Sequence, residues 1–344
     1  MTFDWQIAPL NHDLIPEIQQ RIDQKTKPLG ALGQLEQLAL QIALVQQHKR
    51  LSIERPLMLV FAADHGIAEE GVSIAPSSVT QQMVLNFING GAAINCFCRT
   101  NHIPLKVIDA GIKHEIIPAP SALIVQRIAA GTHNFAREPA MTLAQAERAI
   151  KLGKEFAEGE ISAGSNLLAF GEMGIGNSSS AAAILAAISN APVEDCVGLG
   201  TGINREQLAK KIALVRQAVA RIQDKSPINI LCEVGGFEIA QICGAMLATA
   251  QAGRLIVVDG FIVTAAALLA VKMQPQARDY MIFAHESEEI GHQLMLQLLD
   301  AKPLLNLGLR LGEGTGAALA LPLIQATVSF YNQMATFESA GVKV

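Results

Sequence analysis

Aromatic residues are scarce in this 344-residue chain, with 1 Trp, 2 Tyr and 12 Phe making up 4% of it. The core cannot rest on rings. Half of the residues are apolar, so it must be packed from Ala, Leu, Ile and Val, and with only 17% charged residues a disordered chain is excluded. Cysteine is sparse too. Cys96, Cys98, Cys196, Cys232 and Cys243 are odd in number and mostly in apolar context, which speaks against a disulfide framework and for a reduced, cytoplasmic protein. No run of five basic residues occurs, and the net charge is −5, so no cationic face for nucleic acid is expected. A long hydrophobic run is also missing. Mean hydropathy is positive, but the best candidate span, residues 255–271, is split by Asp259 and Gly260 into a β-branched, strand-like half and an alanine-rich, helical half. No membrane span is expected. The opening MTFDWQIAPLNHD has neither a cationic region nor an apolar stretch, and no signal peptide is expected from it.

What is present is length for roughly two domains, at about 150 residues each. After residue 50, short apolar runs alternate with amphipathic stretches, the pattern of a parallel sheet covered by helices on both faces. Strands are expected at residues 57–62, 105–109, 167–170, 255–258 and 281–284, with a further one at 229–232. Helices are expected at residues 143–158, 205–222 and 288–299. The ends differ, because residues 14–24 and 317–337 read as helices without strands that would pack together. The expected architecture is therefore a doubly wound α/β domain, residues 26–300, and a small helical domain made from residues 1–25 and 301–344. In folds of this class, ligands bind at the carboxyl ends of the strands.

Two glycine loops fall at such places. GEMGIGNSSS, residues 171–180, follows a strand and precedes an alanine-rich helix. Its glycines bring backbone close to a ligand, and Asn177 and Ser178 could cap a helix whose free N–H groups favour an anion. The spacing is neither G-x-G-x-x-G nor G-x-x-x-x-G-K-[ST], which disfavours a standard NAD or ATP loop. A tight turn without a ligand is the competing reading. VGLGTG, residues 197–202, is a second such turn, carrying Gly200 and Gly202, and Lys211 one helical stretch later could supply a point charge to a phosphate.

Carboxylates and histidines complete the candidates. In LRLGEGTGAALA, Glu313 lies between Gly312 and Gly314 at the start of an apolar helix. Burial there would raise its pKa and make it a usable base, while the helix N-terminus opposes that shift. Glu172 could accept hydrogen bonds from ribose hydroxyls. Asp64 and His65, in AADHG after a strand, are either ligand contacts or a loop brace. His285, Glu289 and His292 in AHESEEIGH stand at i, i+4 and i+7, so on one helical face they would offer three metal ligands, although the motif departs from H-E-x-x-H.

Taken together, TKPLGALGQLE, ADHGIAEEGVS, VTQQMVLNFINGGAAIN, GEMGIGN, VGLGTG, EVGGFEIA, VDGFIVTAAAL, AHESEEIGH and LRLGEGTGAALA resemble, in order from residue 26 to 320, the nicotinate-nucleotide:dimethylbenzimidazole phosphoribosyltransferases. The resemblance implies a homodimeric, cytoplasmic enzyme of cobalamin nucleotide-loop assembly, with a Rossmann-like large domain and no metal or other cofactor. It implies transfer of phosphoribose from nicotinate mononucleotide to dimethylbenzimidazole, giving α-ribazole phosphate and nicotinate, with Glu313 as general base. Gly174, Gly176, Asn177, Ser178 and Lys211 match the phosphate-binding positions, and Glu172 matches the ribose-contacting glutamate. Met173, Ile175 and Leu311 would wall a flat base, together with Gly312. In APSSVTQQM, Ala75 and Ser78 replace a tyrosine and a glutamate common in relatives. The base pocket near Ala75 and Met83 is thereby widened, which leaves adenine, another benzimidazole or a phenol as alternative acceptors. A metal-dependent hydrolase built on His285, Glu289 and His292 is the more distant alternative.

Overall fold

A computed structural model describes residues 3–200 and 202–343. Six strands form one sheet: β1 (Leu57–Ala63), β2 (Leu105–Gly111), β3 (Leu123–Val125), β4 (Leu167–Met173), β5 (Leu255–Val258) and β6 (Met281–Phe283). Their order is β3-β2-β1-β4-β5-β6 and every pair is parallel. This is the doubly wound order, with its reversal of direction between β1 and β4. All seven residues of β1, LMLVFAA, are buried. Successive strand side chains point to opposite faces, so both faces of the sheet must be covered, and a continuous apolar run is what such a strand requires. The α/β reading of the sequence is borne out.

The helices begin with α1 (Ile15–Asp23), α2 (Gln34–Gln46), α3 (Ser78–Asn89), α4 (Ala93–Thr100), α5 (Leu143–Ser162), α6 (Asn177–Ser189) and α7 (Val193–Cys196). They continue with α8 (Arg205–Arg221), α9 (Pro227–Val234), α10 (Phe237–Gln251), α11 (Phe261–Met273), α12 (Ile290–Leu298) and α13 (Thr315–Gln333). The strand expected at residues 229–232 is part of α9. Ser226 sits extended at the N-cap, Pro227 takes the first turn where its missing N–H costs nothing, and Ile230, Leu231 and Val234 bury one face at helical spacing. A second, two-stranded parallel sheet pairs β7 (His285–Ser287) with β8 (Leu305–Leu309).

The chain ends meet. Both α1 and α13 pack on α2. The Thr26 N–H donates to the Ala335 carbonyl at 3.0 Å, the Phe337 N–H donates to Gln24 at 3.0 Å, and Lys25 bridges Thr336. The other end of α13 reaches the carboxyl edge of β4, so this helix carries the terminal segment to the site.

Candidate active site

The chain leaves β4 through Gly174–Gly176 and enters α6 with Gly176 as N-cap at φ 97°, a left-handed conformation that suits glycine. Asn177 is therefore the first helical residue and does not cap; its amide donates instead to Glu172 Oε2. The loop is held from below. The Ile175 N–H donates to Thr80 Oγ1 at 3.1 Å, and the Thr80 hydroxyl donates to Asp64 Oδ1 at 2.6 Å. Asp64 Oδ2 also accepts the Lys113 N–H at 2.7 Å, and the His65 N–H donates to the Ile175 carbonyl at 3.3 Å. The His65 ring bonds Glu238 Oε1 through Nε2 at 2.6 Å, with both side chains fully buried. Asp64 and His65 thus form a brace under the loop.

One end of the site suits an anion. Lys211 comes from α8, is 1% exposed, and donates from Nζ to Ser178 Oγ at 3.0 Å and to the Gly198 carbonyl at 3.2 Å. Burial lowers its pKa to about 8, against the upward pull of the Glu289 carboxylate. At neutral pH it remains mostly a cation, beside the first-turn N–H groups of α6 and the Gly200 turn.

The other end gathers carboxyl groups. Glu313 sits in the turn before α13 at φ 68°, a strained conformation for a residue with a side chain. It is 6% exposed, its N–H donates to the Glu172 carbonyl at 3.2 Å, and its Oε2 accepts the Ile94 N–H at the start of α4, at 3.3 Å. Gly171 makes this fit possible, since a Cβ there would stand 2.4 Å from the Glu313 carbonyl oxygen. Burial raises the Glu313 pKa, the Ile94 amide opposes that shift, and Asp259 adds to it. Asp259 follows β5 and clamps the start of α13, where Oδ1 accepts the Ala317 N–H at 2.8 Å and Oδ2 accepts the Gly314 N–H at 3.2 Å. Burial lifts Asp259 to about 6. Glu172 is lifted to about 8, first by burial and then by the neighbouring Glu238, Asp259 and Glu313, so at pH 7 it is mostly protonated. One carboxyl is kept neutral beside another that takes up protons only at lower pH, the separation that acid–base chemistry uses.

The histidines do not form the expected helical face. His285 lies in β7, Glu289 is the N-cap of α12 and His292 lies within α12, so the segment turns from strand to helix between them. His292 Nδ1 accepts the Ser287 N–H at 2.8 Å, which leaves Nε2 to donate to Thr264 Oγ1 at 3.0 Å. Burial and the nearby His285 push its pKa down to about 3. Both ring nitrogens are thus committed to a neutral imidazole, and among the described residues no group of three His, Cys, Asp or Glu is arranged to hold a metal. The hydrolase alternative has no ligand set here.

Comparison with known proteins gives this cleft a family. A phosphoribosyltransferase family model matches residues 7–342. The chain is 57% identical over 333 residues to a nicotinate-nucleotide–dimethylbenzimidazole phosphoribosyltransferase of Vibrio atlanticus, covering 95% of this chain and 97% of that protein. It is 59% identical over 341 residues to one from a Shewanella species, covering 98% and 97%. The chain belongs to the nicotinate-nucleotide–dimethylbenzimidazole phosphoribosyltransferase family. A solved member from Thermus thermophilus superposes with a TM-score of 0.92 at 43% identity, covering 97% of this chain and all of the other. The chain is accordingly a phosphoribosyltransferase, an enzyme that moves a pentosyl group.

Within this phosphoribosyltransferase, Glu172, Met173, Gly174, Ile175, Asn177, Ser178, Gly200, Leu311, Gly312 and Glu313 line one cleft. Lys211 stands behind it and reaches it through Ser178. Gly176 sets the turn, Gly202 is exposed, and Ala75 and Met83 are not among the lining residues; position 201 lies outside the described residues. Sequence reasoning did not single out Asp259, Phe261, Ser287, Glu289 and Arg310 as parts of this cleft, which they also line. Asp259 had a usable signal, since it directly follows a strand at the ligand edge of the sheet.

Proposed function

We propose that this chain transfers phosphoribose from nicotinate mononucleotide to dimethylbenzimidazole or a related base, in assembly of the cobalamin nucleotide loop. One observation carries the reading: a single cleft joins an anion cradle to a buried, strained glutamate at a helix start. The 5′-phosphate is assigned to the N–H groups of the 174–178 turn, Ser178 and Lys211, and the ribose to Glu172. A ring nitrogen of the acceptor attacks the anomeric carbon with its lone pair. The bond from that carbon to the pyridinium breaks opposite to it, and its electron pair stays on nicotinate. The configuration inverts from β to α. Positive charge then grows on the acceptor ring, and its other N–H loses a proton to Glu313, assistance worth about 10² to 10⁴ in rate. Because the leaving group departs from a cation, positioning supplies much of the remaining effect. Asp259, still mostly ionised at pH 7, also favours the positive charge that the sugar and the acceptor ring share during transfer.

The acceptor is the less constrained partner, since none of Ala75, Ser78 and Met83 lines the cleft that holds Met173, Ile175 and Leu311. Nicotinate release measured across a panel of benzimidazoles, adenine and phenols tests the proposal; release with dimethylbenzimidazole is expected, and turnover with no acceptor refutes it. We also propose a homodimer in the cytoplasm, supported by the five free cysteines and by large exposed apolar side chains such as Ile117, Leu29 and Leu307. Among the described residues, no helix is long and apolar enough to cross a membrane. Sedimentation at micromolar concentration tests the dimer.

A further inference from the structure

Glu289 is out of place in a phosphate cradle. It is the N-cap of α12 and lines the same cleft as Gly174, Ser178 and Gly200. Its carboxylate lies against the glycine turn so closely that a Cβ on Gly198 would stand 2.1 Å from Oε2. The Gly200 N–H donates to it, and Lys211 and Arg310 are its cationic neighbours. Oε2 is buried and, among the described residues, has no hydrogen-bond partner. The groups assigned to the substrate's phosphate are therefore already partly taken by an anion of the protein itself.

We propose that Glu289 is a stand-in for the 5′-phosphate, holding the empty cradle as a carboxylate and taking up a proton when the phosphate arrives. The identity of that anion rests on the phosphoribosyl-transfer reading above. The cations facing Glu289 are Lys211 from α8 and Arg310 after β8; Glu288 is adjacent in the chain, and the other titratable groups lining the cleft are Asp259, Glu313 and the mostly protonated Glu172. Two cations cannot serve both a carboxylate and a phosphate dianion in one enclosed space. Like charges drive one partner to protonate. Phosphate monoesters lose their second proton near pH 6, so at pH 7 the ligand is mostly a dianion. Glu289 is already biased toward the neutral form by burial, which Lys211, the Gly200 amide and Arg310 oppose. Once phosphate occupies Lys211 and the Gly200 amide, that opposition is gone. The protonated Oε2 then donates a hydrogen bond to a phosphate oxygen, and its orphaned state ends. The device favours loading at lower pH and speeds product release at higher pH, because release returns the proton to solvent.

The test is calorimetric titration of the full-length enzyme at pH 7 with nicotinate mononucleotide, and separately with inorganic phosphate, in two buffers of different ionisation enthalpy. With nicotinate mononucleotide the wild type is expected to take up close to one proton and Glu289→Gln about none; inorganic phosphate still partly holds its second proton at pH 7 and supplies part of the count itself, so there the wild type should take up close to one proton more than the variant. The variant, which keeps the shape and offers an N–H donor, should bind nicotinate mononucleotide about tenfold more tightly, since no proton must be acquired. Equal proton counts in the two proteins, or weaker binding by the variant, overturn the proposal. Should the variant misfold, the wild-type affinity alone decides: it must fall about tenfold per pH unit above the loading range, and a flat profile between pH 6.5 and 7.5 refutes the device. Inorganic phosphate keeps the two readings apart. Proton uptake with phosphate but no nicotinate release in any assay would sink the transferase reading and leave Glu289's role standing.

Discussion

Replacing Glu313 by Gln separates geometry from chemistry at the turn before α13. The amide retains an oxygen for the Ile94 N–H and retains the left-handed backbone, so folding stability should change by no more than about 1 kcal/mol. What disappears is proton acceptance. General-base assistance of about 10² to 10⁴ corresponds to about 2.7 to 5.4 kcal/mol of barrier at 1.36 kcal/mol per decade. The variant's kcat should therefore fall by that factor while its KM for nicotinate mononucleotide changes little. The pH profile adds a second readout. Glu313 must be ionised to act, so wild-type kcat falls as pH drops, along a limb displaced above the usual carboxylate range because burial raises the pKa. The Gln variant should lack that limb. Glu313→Gly is the contrasting control. It relieves a left-handed side chain, worth about 1 to 2 kcal/mol, against a glycine entropy cost of about 0.5 to 1 kcal/mol. Because the buried Ile94 N–H also loses its acceptor, at a cost of about 1 to 3 kcal/mol, the glycine protein should be about 1 kcal/mol less stable than the wild type, and as slow as the Gln variant. A Gln variant that releases nicotinate within tenfold of the wild-type rate, with the same acid limb, would show that the proton goes elsewhere.

Other perturbations have distinct signatures. Lys211→Gln removes a charged donor worth about 1.5 to 3 kcal/mol, so KM for nicotinate mononucleotide should rise about ten- to a hundredfold; in the wild type, binding to the empty enzyme should weaken as pH rises through about 8, where Lys211 loses its proton. Asp259→Ala frees the Gly314 and Ala317 amides at the start of α13, costing about 1 to 2 kcal/mol of capping in a urea titration, with a fall in kcat and little change in substrate KM. Glu238→Ala removes the hydrogen-bond partner of the fully buried His65 ring, and a loss of about 1 to 3 kcal/mol of stability is expected by the same titration. Gly171→Ala forces a methyl against the Glu313 carbonyl, and its activity loss should exceed that of any conservative change elsewhere on β4.

The sheet was readable because its central strands are buried on both faces and so are written as unbroken apolar runs, such as LMLVFAA in β1 and LIVV in β5. Short strands at the sheet edge and half-exposed ones lack that signal: β3 is only LIV and partly exposed, and NLGL within β8 is largely open to solvent. The apolar run in α9 has strand length, and there only Ser226 and Pro227 mark a helix start. At the site, the glycine turns and Glu313 stood out because they break local rules. Asp259 and Arg310 did not, and Glu289 stood out only as a metal ligand, since each becomes part of the cleft only when segments dozens of residues apart converge. The histidine reading failed for a related reason: a helical spacing rule was applied across residues 285–292, where strand gives way to helix.

The central claim is transfer with inversion from nicotinate mononucleotide to a benzimidazole nitrogen in the cleft between Lys211 and Glu313. It is tested most directly by incubating the enzyme with nicotinate mononucleotide and dimethylbenzimidazole and following the anomeric proton and free nicotinate together by NMR. One nicotinate should appear for each α-configured ribazole phosphate. A β-configured product, or nicotinate released without any ribosylated base, would contradict the account.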